Sequence, residues 1–135
     1  MMRHLVSSIL AIAGIIHLLP LSGVLGGAHL ASLYGLAVAK PNLAILMRHR
    51  AVLFGLIGSF LLYSAFKPAL RSMAFFGAII SVVSFLVLAA TTGNYNAQIG
   101  RVVLIDVVVL AGLVVGAIVH ALMLRKSRND TPQSL

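Results

Sequence analysis

The chain of 135 residues contains no cysteine and no glutamate. Without cysteine it can form no disulfide and ligate no metal through sulfur, which excludes the small four-helix membrane enzymes that pass electrons from disulfides to quinones. The only acidic residues are Asp106 and Asp130, and Asp130 lies in a polar tail. We therefore expect neither a proton-coupled multidrug exporter, which relies on a glutamate in its first helix, nor an enzyme that needs two carboxylates.

Charged residues are also scarce, at 9% of the chain, whereas apolar residues make up 61% and the mean hydropathy is +1.11. A soluble domain carries about 25% charged residues, so the solvent of this chain is expected to be lipid. The net charge of +8 comes from Lys and Arg residues that stand between apolar runs and at the chain ends. This distribution is typical of topology signals in membrane proteins, and it argues against a nucleic acid partner.

Four apolar segments are each long enough to cross the hydrocarbon core of a bilayer, which takes about 20 helical residues. They span residues 5–25, 42–66, 72–92 and 102–124. Because lipid cannot satisfy open strand edges, we predict an all-α integral membrane four-helix bundle over residues 1–124, followed by a polar cytoplasmic tail over 125–135. Alternatively, the first segment is a cleaved signal peptide, although the apolar run is long for one.

The Lys and Arg residues predict the orientation in the membrane. The predicted inner side has six of them and the outer side four: Arg3, Lys67, Arg71, Arg125, Lys126 and Arg128 against Lys40, Arg48, Arg50 and Arg101. This difference favours an up-down bundle with both termini in the cytoplasm, in a bacterial inner (plasma) membrane.

Small residues mark the predicted helix contacts, because lipid supplies no hydrophobic drive between helices and close backbone approach decides packing. The candidates are Gly55, Ser59, Gly77, Ser81, Gly112 and Gly116. The last two have GxxxG spacing, so they are candidates either for packing within the bundle or for forming a homo-oligomer.

A polar pair is predicted in the outer half of the bundle. Arg48 lies about 9 Å along the second segment and shares a helical face with Gly55 and Ser59, so we expect it to point into the bundle. Arg50, about 200° away, is expected to face lipid and extend to the headgroups. Asp106 lies at a similar depth in the fourth segment and is the predicted partner of Arg48.

Four further polar residues, His17, Tyr34, Asn94 and Asn96, are expected near the same layer. Together with Arg48 and Asp106 they predict a pocket for an anionic or polar head group, since the guanidinium binds carboxylate or phosphate as a planar fork. Alternatively, the Arg48–Asp106 pair only determines which helices are neighbours. The five histidines lack the helical spacing of a chelate in a polar setting, so no metal is expected.

Three tracts carry a family resemblance: His17-Leu18-Leu19-Pro20, Leu33-Tyr34-Gly35 and the sequence PNLAILMRHRAVLFG over residues 41–55. They resemble a group of uncharacterised short bacterial four-helix membrane proteins that are DoxX-like in outline. Some DoxX-like members are associated with quinone-linked redox chemistry or thiosulfate oxidation, so the resemblance implies quinone as a candidate cofactor. Proteins of this outline sometimes carry the label phosphopantetheine adenylyltransferase, but the chain has no His-x-Gly-His motif of those soluble enzymes.

Three functions remain open at this point. The first is a binding or accessory protein whose outer pocket holds an anionic, lipid-like or quinone ligand. The second is a membrane enzyme in which Asp106 and His17 carry protons and Arg48 holds the ligand; the sequence does not decide whether a reaction is catalysed, and it identifies no catalytic residue. The third is a structural subunit of a larger membrane complex, with the Gly112 and Gly116 face as the partner surface.

Overall fold

The computed structural model describes residues 1–35 and 40–129, and this part of the chain is almost entirely helical. Its five α-helices are α1 (Met2–Leu18), α2 (Gly27–Tyr34), α3 (Pro41–Phe66), α4 (Arg71–Thr92) and α5 (Ala97–Asn129). Two short 3-10 segments, Leu19–Leu25 and Pro68–Leu70, precede α2 and α4. Four spans are long and apolar enough to cross a membrane, as expected of a multi-pass membrane protein: Met2–Leu25, Pro41–Phe66, Pro68–Thr92 and Ala97–Asn129.

The helices differ from the predicted segments chiefly in the first span, in α5 and in α2. The first span begins at Met2, and α5 begins five residues before the predicted segment, at Ala97, and extends to Asn129 into the predicted tail. The rest of that tail, including Asp130, lies outside the described residues. Helix α2 occupies a stretch that the sequence assigned to a loop between the first two segments, because a helix of only eight residues leaves no membrane-length apolar signal.

Proline and glycine set the breaks between these helices. Pro20 has no N–H to bond a carbonyl one turn earlier, and α1 tightens into the 3-10 segment at this point. Gly26 then has φ 145, a backbone conformation open to glycine, and it separates the 3-10 segment from α2. Gly35 ends α2 in the left-handed region with φ 63. The chain can therefore fold a short helix back over the end of the first span.

The long helices pack mainly as neighbouring pairs. Helix α1 lies against α3 and α5, and α4 lies against α5 and α3. The core between them is apolar and includes Leu10, Leu61, Phe75, Val82 and Leu113. Large apolar side chains also cover much of the outer surface, which would be unstable in water but suits contact with lipid.

A close backbone approach joins α1 to α3. A Cβ added at Gly14 would lie 2.9 Å from the Gly58 carbonyl oxygen, and one added at Gly58 would lie 2.8 Å from the Gly14 oxygen. Helix α5 meets α4 at Gly116, where an added Cβ would lie 2.8 Å from the Phe75 ring. An added Cβ at Gly55 would meet the Leu21 side chain at 2.6 Å. These glycines allow the contacts because they carry no side chain.

The other small residues proposed for packing have different surroundings, which corrects that part of the sequence interpretation. Added Cβ atoms at Gly77 and Gly112 would meet nothing within 4 Å. Ser59 is exposed, and Ser81 is half-buried in the wall of a groove. Small residues on an apolar helix do not by themselves show which face is buried, since lipid accepts them as readily as a neighbouring helix does.

At the end of the molecule opposite α2, a buried arginine ties three helices together. Arg71, only 5% exposed, donates from Nη2 to the Ser7 hydroxyl at 2.6 Å and to the Ala65 carbonyl at 2.8 Å. Nearby, the Ser72 hydroxyl and His120 Nε2 are 3.1 Å apart across α4 and α5. Arg71 was counted as a topology signal at a turn, but its side chain also has a structural role between α1, α3 and α4.

Candidate functional site

The structure reverses the orientations that were predicted for the two arginines of α3. Arg48 is exposed, and its Nε donates to the Val24 carbonyl of the 3-10 segment at 2.9 Å. Arg50 is half-buried and lines a cavity between the helices. The prediction that Arg48 points inward to Asp106 is therefore wrong, as is the prediction that Arg50 faces lipid.

The prediction used the wrong pair of residues to locate the buried face of α3. The inward direction was taken from Gly55 and Ser59, but Ser59 is exposed and Gly58 is buried instead. Replacing one by the other rotates the centre of the buried face by about 50°. Arg48 then lies about 50° from that centre on one side and Arg50 about 110° from it on the other. The rotation alone does not exchange their positions, and the packing of the neighbouring elements decides where each side chain ends.

A cavity of about 160 Å³ lies beneath α2, and four polar residues contribute to its wall. They come from four different helices: His17 from α1, Tyr34 from α2, Arg50 from α3 and Asp106 from α5. The rest of the lining is largely apolar. Arg50 and Asp106 each lie nine residues into their helix, about 14 Å along the axis. The structure thus brings together a cation, the only acid among the described residues, an imidazole and a phenol.

Aromatic rings hold the Arg50 guanidinium in place. Its central carbon lies 5.1 Å from the centre of the Phe54 ring, 5.4 Å from that of Tyr34 and 5.7 Å from that of Phe85. A cation over a ring face is stabilised by about 0.5–1 kcal/mol at exposed sites and by more where water is excluded. Three rings therefore surround the Arg50 guanidinium in the cavity wall.

Burial and neighbouring charged groups both act on the Tyr34 phenol. Burial raises the pKa of the Tyr34 phenol above its usual value, while the charge of Arg50 lowers this pKa and that of Asp106 raises it. Tyr34 is consequently a neutral hydroxyl at physiological pH.

The hydrogen bond of His17 determines which of its nitrogens is available. His17 is only 3% exposed, and its Nδ1 lies 2.8 Å from the Ala13 carbonyl oxygen. Since a carbonyl only accepts, Nδ1 carries a proton and donates it. In the neutral ring Nε2 is then the acceptor nitrogen. This arrangement would suit a proton carrier beside a bound ligand.

The two asparagines that were predicted to contact a ligand lie above the cavity and do not line it. Asn96 caps α5, because its Oδ1 accepts from the Ile99 N–H at 2.9 Å. Its Nδ2 donates to the Tyr34 carbonyl at 2.7 Å. Asn96 therefore positions α2, whereas Asn94 is an exposed turn residue with φ 48.

A second hollow of about 510 Å³ runs between α3 and α4 and shares Arg50 and Phe54 with the cavity. Apolar side chains such as Ile57, Phe85 and Leu88 form most of its wall. Arg50 therefore stands where a small polar cavity and a larger apolar groove meet.

The sequence interpretation placed His17, Tyr34 and Asp106 near one polar layer, and all three line the cavity. It missed Arg50 and the aromatic residues around it. One signal was present: Phe54 follows Arg50 by four positions, so the two share a helix face. Comparison with protein-family models, with curated proteins and with solved structures yields no match for this chain.

Proposed function

We propose that this chain is a small binding or accessory protein of a bacterial inner membrane, and that its cavity beneath α2 holds the head group of an anionic, lipid-like or quinone ligand. The proposal includes an up-down four-helix bundle with both termini in the cytoplasm, so that the cavity faces the outer leaflet. The sequence resemblance to DoxX-like proteins supports quinone as a candidate. The position of Met2 and Arg3 beside Leu122 and Lys126 supports termini on one side.

One observation carries the proposal: His17, Tyr34, Arg50 and Asp106 converge on a cavity from four helices. Charged groups inside a membrane protein are costly and in most cases mark a functional site. A few converging polar groups in an otherwise apolar pocket are typical of small-molecule binding sites.

A second candidate function is a membrane enzyme that acts on such a ligand. The hydrogen bond from His17 Nδ1 to Ala13 favours it, because it leaves Nε2 free to exchange a proton next to Asp106. A third reading is structural, in which Arg50 and Asp106 only stabilise the contact of their helices and the protein is a subunit of a larger complex.

Native mass spectrometry of protein extracted directly from its membrane into an amphipathic copolymer tests the proposal. We expect a stoichiometric small molecule on the wild type, and we expect Arg50→Ala to lose it. Arg48→Ala is the matched control, since it removes the same charge from an exposed side chain two positions before Arg50. Circular dichroism of each variant checks that the helices still form.

Loss of the molecule from Arg50→Ala and its retention by Arg48→Ala would support the binding function. Turnover of the molecule by wild type, lost in His17→Phe, would favour the enzyme. A wild type that carries no small molecule, or a molecule retained equally by all variants, would contradict the proposed site. A stoichiometric partner protein in place of the molecule would support the structural subunit.

A further inference from the structure

The cavity and the groove that meet at Arg50 differ in size, lining and charge. Resting on the proposed function, we infer that the ligand is a two-part amphipath with an uncharged head and an apolar chain. The head carries a hydroxyl or carbonyl oxygen and fills the cavity between Arg50 and Asp106. The chain lies along the groove between α3 and α4.

The size of the cavity limits what it can hold. Pockets for drug-sized molecules measure about 300–1,000 Å³, whereas this cavity measures about 160 Å³. It has room for a head group of roughly one ring and not for a lipid-like molecule as a whole. The remainder of such a ligand must leave the cavity, and the groove of about 510 Å³ begins at the same two residues, Arg50 and Phe54.

The lining of the groove suits an apolar chain. Leu53, Ile57 and Leu88 present aliphatic surface, and Phe85 adds an aromatic ring. The wall also includes polar residues, and the Ser84 hydroxyl among them already donates to the Ser81 carbonyl at 2.9 Å. The aliphatic and aromatic surface therefore suits a hydrocarbon chain.

The charges of the cavity select the head group. Arg50 and Asp106 bring one basic and one acidic group to the same cavity wall, so a head group between them meets both. A phosphate or carboxylate head would bring a second anion next to Asp106, where the low dielectric strengthens repulsion. An uncharged hydroxyl can accept a hydrogen bond from Arg50 and donate one to Asp106. A lipophilic phenol or quinol has this chemistry.

Two probes with the same chain separate the head groups: 4-decylphenol and decyl phosphate, each added to the protein in nanodiscs of uncharged lipid at neutral pH. We expect the wild type to retain the phenol at least tenfold better than the phosphate in native mass spectra. Asp106→Asn should weaken retention of the phenol by about tenfold, through loss of a charged acceptor, and should increase retention of the phosphate. Arg50→Ala should weaken both, and Arg48→Ala neither.

Two variants of adjacent alanines test the position of the chain. Ala89 lines the groove, whereas Ala90 is exposed on the same helix. We expect Ala89→Phe to fill the groove and lower retention of 4-decylphenol by about tenfold, the loss of one or two buried methylene contacts. Ala90→Phe should leave the retention of 4-decylphenol unchanged. Neither variant should change the retention of unsubstituted phenol, which has no chain.

The outcomes distinguish this inference from the proposed function. Better retention of decyl phosphate by the wild type, lost in Arg50→Ala, would overturn the uncharged head and leave the binding site in place. Equal effects of Ala89→Phe and Ala90→Phe would overturn the position of the chain. Retention of neither probe in an Arg50-dependent way would overturn the binding site together with this inference.

Discussion

The two arginines of α3 have different surroundings. Arg48 donates to a backbone carbonyl, that of Val24, which the 3-10 geometry before α2 presents to it. Arg50 lies among three aromatic rings and shares a cavity with Asp106. A guanidinium suits the second environment because its flat face stacks on rings while its edge still donates hydrogen bonds.

The titration of Tyr34 tests the geometry of the cavity. Its burial raises the phenol pKa above about 10, the ordinary value. The fold thus favours the neutral form, and this contribution to stability is present below about pH 10 and lost as the pH rises through the folded-state pKa. We expect Arg50→Ala to raise this pKa further and Asp106→Asn to lower it, each relative to the wild type.

The measurement is the ultraviolet band of the phenolate in a protein where Tyr63 and Tyr95 are replaced by Phe, so that Tyr34 is the only tyrosine. Arg101→Ala is a control because its side chain is exposed. If Arg50→Ala and Arg101→Ala left the Tyr34 titration equally unchanged, Arg50 would not lie next to the phenol.

Arg71 is expected to stabilise the opposite end of the protein. Arg71→Ala removes two hydrogen bonds from a charged donor to Ser7 and Ala65. Hydrogen bonds to charged groups contribute about 1.5–3 kcal/mol each. Removal of Arg71 also removes its buried Nε–H, which has no hydrogen-bond partner, and this offsets part of the loss. We therefore expect the free energy of unfolding to fall by about 2–4 kcal/mol. Unfolding by sodium dodecyl sulfate in mixed micelles measures this change. Arg125→Ala, at an exposed site, is the control, and an equal loss there would contradict the structural role of Arg71.

At the scale of elements, the crossing of α1 and α3 orients the helices that build the site. Gly14 and Gly58 let the two backbones approach within van der Waals contact. This contact sets the rotation of α3 about its axis, and with it the positions of Arg50 and Phe54. Helix α2 closes the cavity from above, held through the bond from Asn96 to the Tyr34 carbonyl.

The same substitution should therefore have opposite effects at two glycines. Gly58→Ala places a Cβ 2.8 Å from a backbone oxygen, so it must separate α1 from α3 and should cost about 1–3 kcal/mol. Gly77→Ala meets open space in the middle of α4 and should gain up to about 1 kcal/mol of helix propensity. Thermal unfolding in detergent compares the two. A Gly58→Ala protein as stable as wild type would refute the close crossing.

At the scale of the whole molecule, the number of exposed Lys and Arg side chains differs between the two ends. After Arg50 and Arg71 are set aside as partly or fully buried, five exposed cations remain at the end opposite α2 and three at the α2 end. They are Arg3, Lys67, Arg125, Lys126 and Arg128 against Lys40, Arg48 and Arg101. The excess favours a cytoplasmic position for the end opposite α2.

The absence of native cysteine makes this orientation directly testable. Single substitutions at exposed positions, Ser32→Cys in α2, Ala69→Cys between α3 and α4, and Asn129→Cys at the end of α5, provide three reporters. In intact bacterial spheroplasts, a membrane-impermeant maleimide should label only the first. All three should react after the membrane is opened. Labelling of the second or third reporter in intact spheroplasts would contradict the proposed topology.

The sequence alone determined the membrane character and the number of apolar spans. Hydropathy is a property of each segment by itself, so the four runs could be read without knowing how they pack. Depth along a helix is also local, because each residue adds a constant rise. For this reason His17 and Asp106 could be assigned to one polar layer, with Tyr34 in the loop above it, before any contact between the helices was known.

Only the tertiary structure decided which arginine enters the cavity. Arg48 and Arg50 lie at nearly the same depth and differ by about 200° around the helix. The faces of α3 are apolar nearly all round, so hydropathy does not indicate its rotation. That rotation follows from the close approach of Gly14 and Gly58 and from the position of α2, and both are contacts between residues far apart in the chain. The buried role of Arg71 was hidden for the same reason, since its acceptors lie on two other helices.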